Sequence, residues 1–202
     1  MAEMSYVYAG TVRSAAGGSG GIFRQTAGDQ RWEALTNGLP DETQVHAITV
    51  HPANPEVVFI GTTKGAFCSA DRGGRWERLA LPDPETDIWS ITVDPTDRRT
   101  VYAGCGPVGV DRSEDDGDHW KKLPDPGLPD RVHMTFPCRV MRLDVDPTHP
   151  DDLFACIEAN RTMRRNGLSA GGESHERTRL RNGFPELAKN QIFSGFWMIP
   201  AS

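Results

Sequence analysis

Two eight-residue segments place a hydroxyl, a carboxylate and an indole at one fixed spacing. They are Ser69-Ala-Asp71-Arg-Gly73-Gly-Arg-Trp76 and Ser113-Glu-Asp115-Asp-Gly117-Asp-His-Trp120. A carboxylate beside an apolar ring can act as a general acid, because burial raises its pKa. The same residues also build a turn. The Asp accepts backbone N–H bonds, the Gly takes a positive φ, the Ser hydroxyl bonds locally and the Trp buries its ring. Since the turn uses every position, Ser69, Asp71, Gly73, Trp76, Ser113, Asp115, Gly117 and Trp120 are read as scaffold. The acidic run Glu114 to Asp118 lacks the alternating ligands and distal Glu of a calcium loop. No metal and no cofactor is expected. His46, His133 and His175 stand apart, with no Ser or Cys in a nucleophile elbow, so triad chemistry has no support. The Gly-rich stretch Arg13 to Gly21 precedes a strand, whereas phosphate cradles open a helix. Asp87 and Glu158 are the acids that could face each other across a channel, as a two-carboxylate glycosidase requires. Nothing in the sequence distinguishes them from solvated loop acids.

A repeat positions these residues. Trp32, Trp76 and Trp120 lie 44 residues apart (76 − 32 and 120 − 76). An alternating segment ending at a Pro corner recurs as HAITVHP (46–52), WSITVDP (89–95) and RLDVDP (142–147). A second strand follows each corner: EVVFIGT (56–62), TVYAGC (100–105) and DLFACI (152–157). YVYAGT (6–11) is the same strand without its predecessor. A third strand precedes each turn, as GIFRQ (21–25), GAFCS (65–69) and GVDRS (109–113), and a fourth follows each Trp. Four short strands of period-two character in a unit of ~40–50 residues make one propeller blade. The expected fold is therefore all-β. It is a β-propeller of four-stranded antiparallel blades, about four of them, forming an incomplete or minimal ring. The expected organisation is a single domain over 1–202. Its blades fall near 5–36, 44–80, 87–123 and, in degenerate form, 140–181, with 191–200 supplying a closing first strand.

With these turns, corners and strands, residues 5–160 resemble the BNR/Asp-box repeat propellers. That family includes bacterial sialidases, xyloglucan-degrading propellers, the sortilin ectodomain and photosystem II assembly factors of the YCF48 type. Its bacterial members include many sialidase-like and glycosyl-hydrolase-like repeats. It hosts enzymes and binding modules on one scaffold, so fold alone does not choose between them. The chain lacks the F/Y-R-I-P sequence of sialidases. Its three tyrosines, Tyr6, Tyr8 and Tyr102, all lie in the repeated second strand. The fourth unit departs from the motif, with Leu168, Ala170 and His175 where Ser, Asp and Trp belong.

The resemblance implies a ligand face built by loops entering the first strand and loops joining the second to the third, opposite the Asp-boxes. His46, Asp87 and Trp89 fall there. So do Arg131, His133, Phe136 and Arg139 of the long segment after Asp125, together with Glu158 and Arg161. A loop of that length among short turns is a natural binding element.

The chain carries 22 Lys+Arg against 28 Asp+Glu, a net charge of −6, which argues against a phosphate-backbone partner. No apolar run approaches the ~20 residues of a membrane span, and the first residues show no export leader. Four cysteines without CxxC spacing read as free thiols in a reducing compartment, which predicts a cytoplasmic chain as written and a secreted one if it is a fragment. These features lead to a non-enzymatic propeller that binds a protein or carbohydrate on its loop face. A remnant or homologue of a BNR glycoside hydrolase is the alternative.

Overall fold

The computed structural model describes residues 5–12, 20–124, 138–150, 152–158 and, as backbone, 161–165. The described residues form strands and turns and no helix. Four antiparallel sheets follow one another along the chain, each a blade of the expected propeller. Blade 1 holds β1 (Tyr6–Thr11), β2 (Gly21–Thr26) and β3 (Glu33–Ala34). Blade 2 holds β4 (Val45–Val50), β5 (Val58–Thr62), β6 (Gly65–Ser69) and β7 (Glu77–Arg78). Blade 3 holds β8 (Asp87–Val93), β9 (Val101–Gly106), β10 (Gly109–Ser113) and β11 (Trp120–Lys122). Blade 4 holds β12 (Val140–Val145), β13 (Leu153–Ile157) and β14 (Arg161–Arg165). Among the described residues, blade 1 lacks the innermost strand that β4, β8 and β12 supply in the others. The ring is open. The segment 191–200, expected to close it, lies outside the described residues, as does the degenerate motif at 168–175.

The sheets stack face to face, and three apolar clusters fill the gaps between them. Ile22 and Leu35 of blade 1 meet Val58, Ile60, Phe67 and Trp76 of blade 2. Phe59, Ala66 and Leu81 meet Ile88, Ile91, Val101 and Ala103 of blade 3. Tyr102 meets Val140, Leu143, Val145 and Leu153 of blade 4. Alternation along each strand sends one set of side chains toward the preceding blade (its leading face) and the other toward the following one (its trailing face). Polar bonds add register. Thr49 Oγ1 donates to the Ile91 carbonyl at 2.7 Å, and Ser90 Oγ to that of Val140 at 2.9 Å.

The Trp76 N–H bonds back to the Asn37 carbonyl of the preceding turn at 2.9 Å. Its ring is 2 % exposed and belongs to the interface with blade 1. Trp120 packs likewise against the cluster between blades 2 and 3. Trp32 differs from the expected burial. It stands at the equivalent place beside β3 but is 47 % exposed. The indole at this position packs on the blade before it, and among the described residues blade 1 has none before it.

The Asp-box turns are built alike. Ser69 Oγ donates to Asp71 Oδ1 at 2.7 Å and accepts the Gly73 N–H at 2.7 Å, while Asp71 Oδ1 also accepts the Arg75 N–H at 2.9 Å. In the next blade the corresponding distances are 2.8, 2.9 and 2.9 Å, from Ser113, Gly117 and His119. Gly73 and Gly117 take φ of 92° and 99°, a region that favours glycine. At the Pro corners Asp94 and Asp146 accept backbone N–H bonds two residues on, and His51 Nδ1 accepts them at the first corner.

Candidate functional site

The inner strands share one irregularity. A β-bulge falls between Val45 and Ala47, between Ile88 and Ser90, and between Val140 and Arg142. The bulged residues are His46, Trp89 and Met141, one from each of three successive blades. A bulge bends the strand and re-aims its extra side chain, a device common beside functional sites. Here it turns two rings toward each other across the gap between blades 2 and 3. The His46 imidazole stacks on the Trp89 indole with centroids 3.8 Å apart and planes 11° from parallel.

Arg139, entering blade 4, lays its guanidinium 4.2 Å from the same indole. Trp89 is thus sandwiched between a ring from one neighbouring blade and a cation from the other. Arg139 Nη1 also lies 3.6 Å from Glu158 Oε2, just past the end of β13. The close approach requires Gly106, where a Cβ would come within 3.0 Å of Arg139 Cγ and 3.1 Å of Trp89 Nε1. The order His46, Trp89, Arg139, Glu158 crosses three blades at the end opposite the Asp-boxes.

The cluster is half-buried, and its electrostatics follow from that. Burial and the nearby Arg139 cation push the His46 pKa down to about 4, so the imidazole is neutral at pH 7. Burial raises the pKa of Asp87, which opens β8, with Arg139 opposing the rise. Three buried polar atoms have no hydrogen-bond partner: His46 Nε2, Trp89 Nε1 and Glu158 Oε2. Buried polar atoms are normally paired; Glu158 Oε2 has the Arg139 ion pair, whereas the two ring nitrogens have no hydrogen-bond partner. Together they offer an indole donor, an imidazole nitrogen and a carboxylate acceptor. With both faces of Trp89 occupied, the indole is not a bare platform for a stacked sugar ring.

Of the residues named from sequence, the structure brings His46, Asp87, Trp89, Arg139 and Glu158 to one place. Arg161 opens β14, with its backbone paired to Ile157. Arg131, His133 and Phe136 lie outside the described residues. Sequence reasoning missed Met141, the third bulge residue, 42 % exposed. Its position one residue before the RLDVDP alternation, matching His46 and Trp89, was the available signal. It also missed Asp111, a buried acid at the β10 position occupied by Phe23 and Phe67 in the earlier blades. The Asp111 carboxyl accepts a bond from Cys105 Sγ at 3.5 Å through Oδ2, while Oδ1 has no partner. Burial raises both pKa values. The four cysteines are free thiols. Among the described residues no group of three His, Cys, Asp or Glu side chains could hold a metal ion, and no helix is long and apolar enough to cross a membrane.

No family model matches the sequence, and no curated protein matches it significantly. Solved structures do resemble the fold. An ancestral GH74 enzyme superposes with a TM-score of 0.58 at 16% identity, over 72% of this chain and 20% of that one. YCF48 bound to D1 peptide gives 0.52 at 14% identity over 79% of this chain and 46% of its own. YCF48 from Cyanidioschyzon merolae gives 0.54 at 11% identity over 79% and 50%. The chain thus spans between a fifth and a half of the structures it resembles. At such identities the likeness shows the architecture alone: the chain is a β-propeller module.

Proposed function

We propose that this chain is a binding module, and that its ligand seat is the cluster of His46, Asp87, Trp89, Arg139 and Glu158 on the loop face. The observation that carries this reading is the shared bulge. A strand irregularity repeated in register stacks His46 on Trp89, and His46 Nε2 and Trp89 Nε1 are buried without hydrogen-bond partners. The cluster's mixed donors and acceptors suit a polar partner such as a peptide main chain or sugar hydroxyls. One neighbour is YCF48 bound to D1 peptide and another is an ancestral GH74 enzyme, so the architecture hosts both peptide binding and enzymes. The test is to probe oligosaccharide and peptide arrays with the labelled chain and its Arg139→Ala variant. Binding by the parent that falls at least about tenfold in the variant, with unfolding unchanged, is the expected result. Equal binding by both proteins would remove the site from this cluster.

Asp87 gives a second reading its footing. A carboxyl whose pKa is raised by burial is what a glycosidase acid needs, and Glu158 is the acid available as its partner. Chromogenic glycosides and a polysaccharide panel discriminate the two readings. Turnover abolished by Asp87→Asn would establish hydrolysis, and no turnover across the panel would leave binding alone.

A further inference from the structure

The leading face of blade 1 carries the residue set that blade 2 buries. Strand register equates Val7, Ala9, Phe23 and Trp32 with Val58, Ile60, Phe67 and Trp76. In blade 2 these four are almost fully covered by blade 1. In blade 1, Val7 is 37 % and Trp32 47 % exposed. This face therefore has the composition of an inter-blade interface and, among the described residues, no blade against it.

A second observation says which blade fits there. Gly10, Gly61 and Gly104 hold one position on the second strands of blades 1, 2 and 3. A Cβ on them would come within 2.8, 2.7 and 2.6 Å of Val45, Ile88 and Val140. Those three residues lie on the inner strand of the following blade, so glycine is needed where an inner strand packs. The corresponding residue of blade 4 is Cys156, and it is exposed. Its side chain stands where a following inner strand would lie. Blade 1 is the blade that, among the described residues, has no inner strand. Phe154 meanwhile holds the trailing position that Phe59 and Tyr102 use to enter the next blade's interface.

We propose that blade 4 of one copy docks its trailing face on the leading face of blade 1 in a second copy. The contact is head to tail, and two such contacts close a ring of two chains. The count then reaches about eight blades, the upper end of the ~4–8 range. The YCF48 propellers, of which this chain spans 46% and 50%, use roughly two such lengths per chain.

Light scattering on the eluted full chain across micromolar concentrations tests this. The expected mass is twice 22.2 kDa. Trp32→Glu, or Val7→Lys should the first variant fail to fold, weakens the pair at least about thirtyfold. Cys156→Arg does the same from the other end, while Glu77→Lys on the exposed outer strand of blade 2 leaves the pair intact. Mixing Trp32→Glu with Cys156→Arg restores one of the two contacts, a signature only a head-to-tail interface gives. A monomer at every concentration overturns the proposal, including one in which Trp32 is shielded by the chain's own remaining residues. A pair indifferent to Trp32→Glu, or a mixture that stays monomeric, overturns it equally.

Discussion

The two ends of the blades treat their acids in opposite ways. At the end carrying the Asp-boxes and Pro corners, carboxylates meet backbone N–H groups. The Ser69 hydroxyl and the Arg75 N–H lower the pKa of Asp71. The His119 N–H and imidazole hold Asp115 at about 2, and Thr148 does the same for Asp146. At the loop end, burial raises Asp87 and, deeper in the same blade, Asp111, and Glu158 meets its cation only at 3.6 Å. One end satisfies its charges locally and holds turns. The other holds acids that burial pushes upward or that a long ion pair balances, a pattern common among site residues. The box end has orphans too, at Trp76 Nε1, Tyr102 Oη and Arg112 Nε, but its acids have none among their box and corner oxygens.

The largest expected effect compares two indoles. Trp76 fills the gap between blades 1 and 2, so Trp76→Ala should cost about 3–5 kcal/mol. Trp89 is half-buried, outside the apolar clusters between blades, and held by a ring and a cation, so Trp89→Ala should cost less than half as much. Urea unfolding of both variants decides it. Equal losses would mean that the loop-face cluster is core, and the contrast between the ends would fall.

A smaller effect sharpens the same contrast within one box. Ser113 Oγ accepts the buried Gly117 N–H and donates to Asp115. Ser113→Ala leaves that N–H unpaired and should cost about 1–3 kcal/mol. Glu158→Gln at the other end keeps the shape and an acceptor, and should shift the urea midpoint little while altering ligand binding.

These assignments differ in how readily the sequence reveals them. The blades are legible because the box motif, the Pro corner and the Trp spacing are local and repeat. Each position's job is done within a turn or against the adjacent sheet. The cluster is only half legible. His46 and Trp89 were placed on the loop face through their strand position, but the bulge that makes them stack leaves no mark in the alternation. Arg139 and Glu158 are far apart in sequence, and stacking of the blades joins them to Trp89. The exposure of Trp32 was not legible at all, since its motif matches its buried counterparts and only the missing neighbour differs. Asp111 could have been found: a charged residue interrupts a column that reads Phe23 and Phe67.

That column provides the subtlest test. An acid whose folded pKa lies above its ordinary value near ~4 keeps its proton in the native state while the unfolded chain has lost it. Asp111 is such a group, so its contribution to stability falls as pH rises from about 4 through the folded pKa. The box and corner acids run the other way: their contribution is present above about 4 and is lost as pH falls toward about 2. His46, lowered to about 4, loses its contribution as pH falls from about 6.5. Wild type therefore mixes opposing slopes, and comparison with Asp111→Asn isolates one of them, since the other groups are common to both proteins. The Asn variant should be more stable near pH 7 by about 1 kcal/mol or more, because it replaces a buried carboxylate carrying an orphaned oxygen. The gap should close as pH falls below the ordinary carboxylate value near ~4, where Asp111 becomes protonated in both states. Urea midpoints at the two pH values measure it. A gap that stays constant with pH would show that Asp111 titrates alike in the folded and unfolded chain and that the interior of blade 3 does not raise its acid.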